Sequence, residues 1–390
     1  MTLWTTIWPV PLAWRQLTEQ RVRCAVAVLG VTFAVVLVLM QLGFSSALYA
    51  SAVRLHEHLA ADLVLINPHY TFLGISEPFT QRRLQQARSH AAVAAVAPLW
   101  FDLAPWKSPA NGHTRNLLLI GVDPDTETLT LPGVPGQLPR TRVRDTLLFD
   151  TDSRPEFGFP SAGLRAGERI TTELAHRRVF VDGVFRLGTS FAVDGSTVAS
   201  RTTFLHLLPH RRDGFIDIGL VRLRAGSDPD VVRAELAAML PSDVEVLTKA
   251  GFVAREQAYW AANTPIGYIF TFGVIMGLVV GAIIVYLILF VNVAERLSEF
   301  ATLKAIGFAD GALVGVVLQQ ALILAGCGFV PGLVIACGLY RITAQATWLP
   351  FELTFGSAGL VFALTLLMCS ASGAAALRKV RAADPAEVFA

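Results

Sequence analysis

The sequence predicts a membrane protein with four transmembrane α-helices and a large α+β domain inserted between the first and second helix. Of its 390 residues 53% are hydrophobic and only 16% are charged, which is too apolar for an ordinary soluble protein of this length. The apolar residues are gathered into four long segments, one near the start and three after residue 256. Between the first two segments lies a polar region that is large enough to build its own core.

Four stretches contain no Asp, Glu, Lys or Arg: residues 25–53, 257–294, 311–340 and 353–377. A helix needs about 20 apolar residues to cross the hydrocarbon of a bilayer. We therefore place transmembrane helices at residues 24–49, 261–294, 311–340 and 355–377. The first segment is too long for a signal peptide and lacks a suitable cleavage site, so we expect it to stay in the mature chain.

Basic residues near the ends of these helices predict the orientation. They stand before the first helix, between the second and third, and after the fourth, at Arg15, Arg21, Arg23, Arg296, Lys304, Arg378, Lys379 and Arg381. We therefore expect residues 1–23, 295–310 and 378–390 in the cytoplasm, with both termini there. Residues 50–260 and a short outer loop at 341–354 are expected outside.

The segment Leu12–Arg23 alternates apolar and polar residues at helical spacing and carries Trp14. This pattern is typical of an amphipathic elbow helix that lies on the inner leaflet. A simple positively charged flank is the alternative interpretation.

Between residues 50 and 260, short β-branched and leucine-rich runs alternate with turn residues. We predict strands at 61–66, 115–122, 178–187, 217–223 and 244–247. Asp228 and Pro229 precede the run VVRAELAAML and predict a capped helix. A second helix is predicted at 76–88.

The second transmembrane segment carries Gly273, Gly277 and Gly281 at intervals of four residues. Such spacing clears one helix face so that another helix can approach closely. The pattern fits both a contact within the chain and a seam between two copies. Gly326, Gly328, Pro331 and Gly332 in the third segment predict a kinked helix, either as a hinge or as a tolerated bend.

Metal, nucleotide and nucleic-acid sites are poorly supported by the sequence. Cys24, Cys327, Cys337 and Cys369 all lie in or beside apolar segments, where we expect packing rather than reactivity. His56, His58 and His69 are candidate ligands of a metal or haem. However, His56 and His58 are two residues apart, so on a helix their side chains point in different directions. The net charge of +2 argues against nucleic acid, and no phosphate-binding GxxxxGK[ST] loop or catalytic motif is present.

The most informative segment is ERLSEFATLKAIG, residues 295–307, which carries almost all the charge between the second and third helices. Charged side chains are costly at the bilayer centre, so this segment must lie beyond the hydrocarbon. It resembles the cytoplasmic loop of ABC transporter permeases of the MacB, LolC and FtsX superfamily, and the ending RAADPAEVF resembles theirs too. The resemblance implies a type VII permease fold and a coupling helix that docks on a separate ATPase through Glu295, Arg296, Glu299, Phe300, Ala301, Leu303, Lys304 and Gly307.

Further segments narrow this resemblance to the DevC permeases of cyanobacteria. They include PLAWRQL, QLGFSSALYASAVRLHE, PEFG, RLGTSFAVDGS, GFIDIGLVRL and ANTPIGYIFTFG. That family is known to export glycolipids with a DevA-type ATPase, a DevB-type periplasmic adaptor and a TolC-like outer-membrane channel. The resemblance implies these partners, membrane lipid or another amphipathic molecule as cargo, and a homodimer in the bacterial inner membrane.

Because the sequence has no nucleotide-binding or catalytic motif, we do not expect this chain to be an enzyme. We expect it to hold no cofactor of its own, and the partner ATPase to bind ATP and Mg. Two rival functions stay open. One is an FtsX-like permease that regulates an outer enzyme without moving a substrate. The other is a haem-exporter permease with the early histidines as ligands.

Overall fold

The computed structural model describes residues 10–158, 170–295 and 310–381. The chain divides into two compact units. One, here called the helical domain, comprises Met1–Ser46, Ile266–Ala346 and Phe351–Ala390. The other, the α+β domain, comprises Ala47–Pro265 and Thr347–Pro350.

The described residues form nine α-helices and eleven strands. The helices are α1 (Val10–Glu19), α2 (Arg21–Glu57), α3 (Arg82–Arg88), α4 (Arg201–Leu207), α5 (Pro229–Met239), α6 (Lys249–Asn263), α7 (Ile266–Glu295), α8 (Asp310–Thr347) and α9 (Phe355–Arg381). The strands are β1 (Leu63–Ile66), β2 (Phe79–Thr80), β3 (Val93–Lys107), β4 (Thr114–Val122), β5 (Thr146–Asp150), β6 (Ile170–Leu174), β7 (Arg177–Phe185), β8 (Ser196–Ser200), β9 (Phe215–Ile216), β10 (Ile218–Leu223) and β11 (Glu245–Thr248).

Four helices of the described residues are long and apolar enough to cross a membrane. They span Arg21–Glu57, Gly267–Glu295, Gly315–Thr347 and Phe355–Leu377. The α+β domain is inserted between the first and the second of them, as the sequence predicts. Three of the four helices extend beyond the predicted segments, because a helix does not have to end where the apolar run ends. Thus α2 runs to Glu57, beyond the predicted end at 49, and α8 runs to Thr347, into the predicted loop 341–354. The second is shorter than predicted and begins at Ile266 rather than at 261, because residues 261–263 belong to α6 and Pro265 separates the two helices.

Nine strands of the α+β domain form one mixed sheet in the order β11-β1-β10-β3-β4-β8-β5-β7-β6. Most neighbours are antiparallel, while β4 with β8 and β5 with β7 run parallel. The far end of β3 also pairs with β6, through Trp106 opposite Leu174. This extra pairing closes a ring of six strands, in the order β3-β4-β8-β5-β7-β6. Strands β10, β1 and β11 extend the sheet beyond β3.

Apolar side chains fill both faces of this sheet. One core includes Trp100, Trp106 and Phe149 and takes in α3, α4 and α5. The other includes Phe101, Phe185 and Phe252 and lies under the end of α2 and under α6. Burial on both faces explains why several strands read as continuous apolar runs.

Helices α4, α5 and α6 of the α+β domain begin at side-chain caps, whereas α3 does not. Asp228 accepts a hydrogen bond from the backbone N–H of Asp230, and Thr248 does the same for Gly251. The predicted cap and helix at 228–239 are confirmed. The predicted helix at 76–88 is wrong in its first half, because Phe79 pairs with Ile216 in a strand and Pro78 disfavours a helical residue before it.

Candidate coupling and transmission sites

The carboxyl end of α7 lies at the junction between α1 and α2. Glu295, the last residue of α7, accepts a hydrogen bond from Gln20 Nε2 at 2.9 Å and an ionic hydrogen bond from the Arg23 guanidinium. Arg23 also donates to Gln20 Oε1 at 2.7 Å. The first residue of the charged ERLSEFATLKAIG segment is therefore held at the place where α1 meets α2.

Glu295 is the one residue of the predicted coupling set that falls within the described part of the chain. The others lie outside it: Arg296, Glu299, Phe300, Ala301, Leu303, Lys304 and Gly307. The residues of the C-terminal RAADPAEVF ending after Arg381 also lie outside it. Their roles stay predictions.

Gly273, Gly277 and Gly281 of α7 face α2 of the same chain. A β-carbon added to Gly273 would come within 2.4 Å of Gln41, and one added to Gly277 within 2.6 Å of Leu37. A β-carbon on Gly281 would lie 2.7 Å from Ala34. Real β-carbons do not approach so closely, so a larger residue at any of these positions would force a neighbour to move. At Gly281 the neighbour is the short Ala34 side chain, which cannot turn away as the ends of Gln41 and Leu37 can. Packing within one chain accounts for all three glycines, and a seam between two copies stays a prediction.

The third transmembrane helix, α8, packs on α2 as well. A β-carbon on Gly328 would lie 2.5 Å from Val31, and the Thr32 hydroxyl donates to the Gly328 carbonyl at 3.1 Å. Tyr340 O–H donates to the Leu39 carbonyl further along the same pair of helices. Helix α2 thus contacts both α7 and α8 through close backbone approaches, and Pro331 lies inside α8 between these contacts.

A buried polar cluster lies at the base of the α+β domain, where the chain enters through α2 and leaves through α6. Glu256 on α6 is only 1% exposed. Its carboxylate accepts hydrogen bonds from Tyr70 O–H at 3.0 Å and from Trp260 Nε1 at 3.1 Å, with the Leu73 N–H at 3.4 Å. His56, in the last turn of α2, places Nε2 3.4 Å from the same carboxylate. We call Glu256, Tyr70, Trp260 and His56 the base cluster.

Aromatic rings enclose the base cluster and exclude water from it. Phe252 lies 4.6 Å from the His56 ring and 5.3 Å from the Tyr70 ring, measured between centroids. Burial, and then the negative charge of Glu256, raise the pKa of Tyr70 well above its ordinary value. Tyr70 therefore stays protonated and remains a hydrogen-bond donor. Because buried donors need acceptors, Glu256 ties the end of α2 and the loop after β1 to α6.

A second buried carboxylate fixes the loop between β7 and β8. Asp150 is fully buried and accepts hydrogen bonds from the N–H groups of Leu187 and Gly188 at 3.0 and 2.9 Å. Arg54 on α2 donates to the Leu187 carbonyl at 2.7 Å, and the Phe191 N–H donates to Ser51 Oγ at 3.2 Å. The RLGTSFAVDGS segment is thus a clamp on the portion of α2 that belongs to the α+β domain.

The space beside this clamp is small. A cavity lined by Ser51, Arg54 and Gly188 has a volume of about 20 Å³, which is room for about one water molecule. No ligand of the size of a lipid or haem fits there.

The early histidines do not converge on a metal or haem site. His56 is buried in the base cluster, and His58 Nδ1 lies 2.8 Å from the Arg54 carbonyl. His69 is exposed in the loop after β1. Among the described residues no group of three His, Cys, Asp or Glu side chains could hold a metal ion. The described geometry therefore gives no support to the haem-exporter alternative.

Sequence reasoning missed Glu256, Tyr70 and Asp150. Each is an isolated polar residue in an otherwise ordinary run, and its partners are far away along the chain. One signal was available, namely a glutamate on the apolar face of the α6 pattern, between Phe252 and Trp260 at intervals of four residues.

Four helices long and apolar enough to span a membrane, with an α+β domain inserted after the first, define the architecture of a multi-pass membrane protein with one large inserted domain. Two family models match this chain. The MacB-like periplasmic core domain matches residues 24–239, which is more than half of the chain, and the FtsX-like permease C-terminal domain matches residues 271–385. The chain belongs to the MacB/FtsX-type family of ABC transporter permeases, as the ERLSEFATLKAIG segment predicts. Permeases of this family work with an ABC ATPase.

Two similar solved structures are a periplasmic region and an extracellular domain of transporters. The periplasmic region of MacB from Actinobacillus actinomycetemcomitans is 11% identical over 52% of this chain and 94% of that one, with a TM-score of 0.35. The extracellular domain of the noncanonical ABC-type transporter YknZ from Gram-positive bacteria is 12% identical over 48% of this chain and 99% of that one, with a TM-score of 0.34. No curated protein matches the chain. The family assignment rests on the two family models, and the DevC resemblance stays a prediction.

Proposed function

We propose that this chain is the permease subunit of an ATP-driven exporter and that it transmits conformational change from a partner ATPase to the α+β domain. The chain itself is non-catalytic in this proposal. ATP and Mg are bound by the ATPase, and this subunit needs no cofactor of its own.

The observation that carries the proposal is the contact of Glu295 with Arg23 and Gln20. The segment predicted to dock on the ATPase starts at Glu295, so a displacement of that segment pulls on the start of α2. Helix α2 is in turn packed against the glycines of α7 and α8. At its other end, the residues of α2 within the α+β domain are held by the clamp and by the base cluster.

We further propose that two copies pair in the bacterial inner membrane, with both termini in the cytoplasm. The cargo is a lipid, a glycolipid or another amphipathic molecule, passed to a periplasmic membrane-fusion adaptor and a TolC-like outer-membrane channel. This part of the proposal is supported by the resemblance to DevC permeases, including the RLGTSFAVDGS segment that forms the clamp.

The test replaces the predicted anchor of the coupling segment. We expect Phe300→Ala and Glu299→Lys to leave the tagged permease in the membrane at normal level while reducing co-purified ATPase, because interfaces depend on a few buried anchors. Arg341→Ala is the matched control, because Arg341 lies at the opposite end of the transmembrane helices in the predicted topology. It should change neither the membrane level of the permease nor the amount of co-purified ATPase. Quantitative mass spectrometry and ATP hydrolysis by the purified complex provide the readouts.

Export assays separate the remaining alternatives. Loss of both ATPase binding and lipid export in the two variants supports the exporter. Normal export by both variants, with full ATPase binding, contradicts the proposal. A complex that hydrolyses ATP but moves no lipid, and whose loss changes an outer enzyme's activity, identifies the signalling alternative instead.

A further inference from the structure

Two arginines and a histidine from three separate elements meet on the surface of the α+β domain. Arg144 precedes β5, Arg177 begins β7, and His206 lies in α4. Arg144 Nη2 lies 2.6 Å from His206 Nδ1, and Arg177 Nη1 lies 3.2 Å from His206 Nε2. One imidazole ring therefore separates two exposed guanidinium groups, and we call these three residues the basic cluster.

The backbone holds the basic cluster in place. Ala175 and His176 both have positive φ, of 50° and 60°, and form the two-residue turn that delivers Arg177. Asp145 also has a positive φ, of 61°, and its N–H donates to Thr203 Oγ1 on α4 at 3.0 Å. Non-glycine residues rarely adopt this conformation. Three of them beside one cluster indicate that the surrounding structure fixes its geometry.

The basic cluster has more donors than acceptors. A guanidinium group can only donate, and a neutral imidazole offers one donor and one acceptor. One of the two arginine contacts to His206 therefore places a donor against a donor. Asp145 Oδ1 lies 3.8 Å from His206 Nε2, which is too far for a hydrogen bond. The two arginines carry two positive charges against the single negative charge of Asp145.

Neighbouring arginines, unlike Arg144 and Arg177, are paired with carboxylates. Arg142 pairs with Asp125, and Arg201 pairs with Asp213, whose pKa is lowered by the Arg201 hydrogen bond. Neither Arg144 nor Arg177 has a carboxylate within 4.0 Å among the residues that the structure describes. An acceptor supplied from outside would balance the donors and the charge together.

We propose that the basic cluster binds a phosphate group. Phosphate offers several oxygens to two guanidinium forks, which match it in geometry and charge. Both arginines are exposed, so the group can reach them from solvent. The shared chemistry is a phosphate oxyanion, either free or as the headgroup of an anionic lipid.

The experiment titrates full-length protein in non-ionic detergent with inorganic phosphate and, separately, with short-chain phosphatidic acid, by isothermal calorimetry at low ionic strength. We expect saturable binding of at least one of them. Arg144→Gln and Arg177→Gln should each weaken it about tenfold or more, as the loss of a charge-assisted hydrogen bond requires. Arg142→Gln, four residues before β5 and already paired with Asp125, is the matched control and should bind like the unaltered protein.

The two titrants distinguish the source of the phosphate. Binding of inorganic phosphate that depends on both arginines assigns a site for the free ion. Binding of phosphatidic acid alone, with the same dependence, assigns a lipid headgroup. Absence of saturable binding with both titrants, or undiminished binding by Arg144→Gln and Arg177→Gln, overturns the proposal.

Discussion

Removing the Glu256 carboxylate should destabilise the α+β domain at its base. Glu256→Ala removes the acceptor of the Tyr70 hydroxyl and of the Trp260 indole N–H, and both side chains are buried, at 3% and 8% exposed. The nearest other group to the Tyr70 hydroxyl is His56 Nε2, at a longer 3.4 Å. A buried donor left unsatisfied costs about 1–3 kcal/mol, so two cost about 2–6 kcal/mol of unfolding free energy. Glu256→Gln keeps one acceptor oxygen, and we expect roughly half of that loss.

The neighbouring residue provides the control. Gln257 follows on the same helix but is exposed, so Gln257→Ala should change stability by no more than about 0.5 kcal/mol. Thermal melting of the full-length protein in detergent measures the overall effect. Hydrogen exchange of the α6 amides measures the local one, because local opening is reported residue by residue.

A double-mutant cycle isolates the central contact. Tyr70→Phe removes the donor that Glu256 accepts, so Glu256→Ala should cost less in that background, by about 1–2 kcal/mol. The reasoning is refuted if Glu256→Ala matches Gln257→Ala in stability and in α6 exchange. It is also refuted if the two substitutions at Glu256 and Tyr70 are simply additive.

Three further outcomes follow from the contacts described above. Gly277→Leu should lower stability by about 1–3 kcal/mol through overpacking against α2, while Gly326→Leu, which has open space, should not; equal effects would contradict the packing argument. Burial raises the pKa of Asp150 above its ordinary 3.8, so the stability it contributes is fully present below that value and is lost as pH rises through the raised pKa. In a plot of melting temperature against pH, Asp150→Asn should therefore remove the fall that occurs as pH rises through the raised pKa. An unchanged slope in that range would show that Asp150 does not cause the fall. In a cysteine-free chain, an impermeant thiol reagent should label Asn111→Cys and not Ser298→Cys from outside, and the reverse pattern would invert the predicted topology.

The sequence by itself determined the four spans, the inserted domain and the family. Hydropathy is a local property, and a transmembrane helix satisfies its own backbone hydrogen bonds, so an apolar run such as 25–53 predicts its structure without reference to the rest of the chain. The glycine spacing at 273, 277 and 281 likewise predicted a helix contact. It left the partner open, because spacing shows that a face is clear and not what covers it.

Only the tertiary structure showed that α2 covers that face and that Glu256 joins Tyr70, Trp260 and His56. It also brought Arg144, Arg177 and His206 together across three elements. In the α+β domain the sheet pairs β1 with β10 and β11, and β3 with β6, so contacting residues are far apart in sequence. Polar residues scattered singly along such a chain carry no local pattern, because their partners are set by strand order and register rather than by spacing.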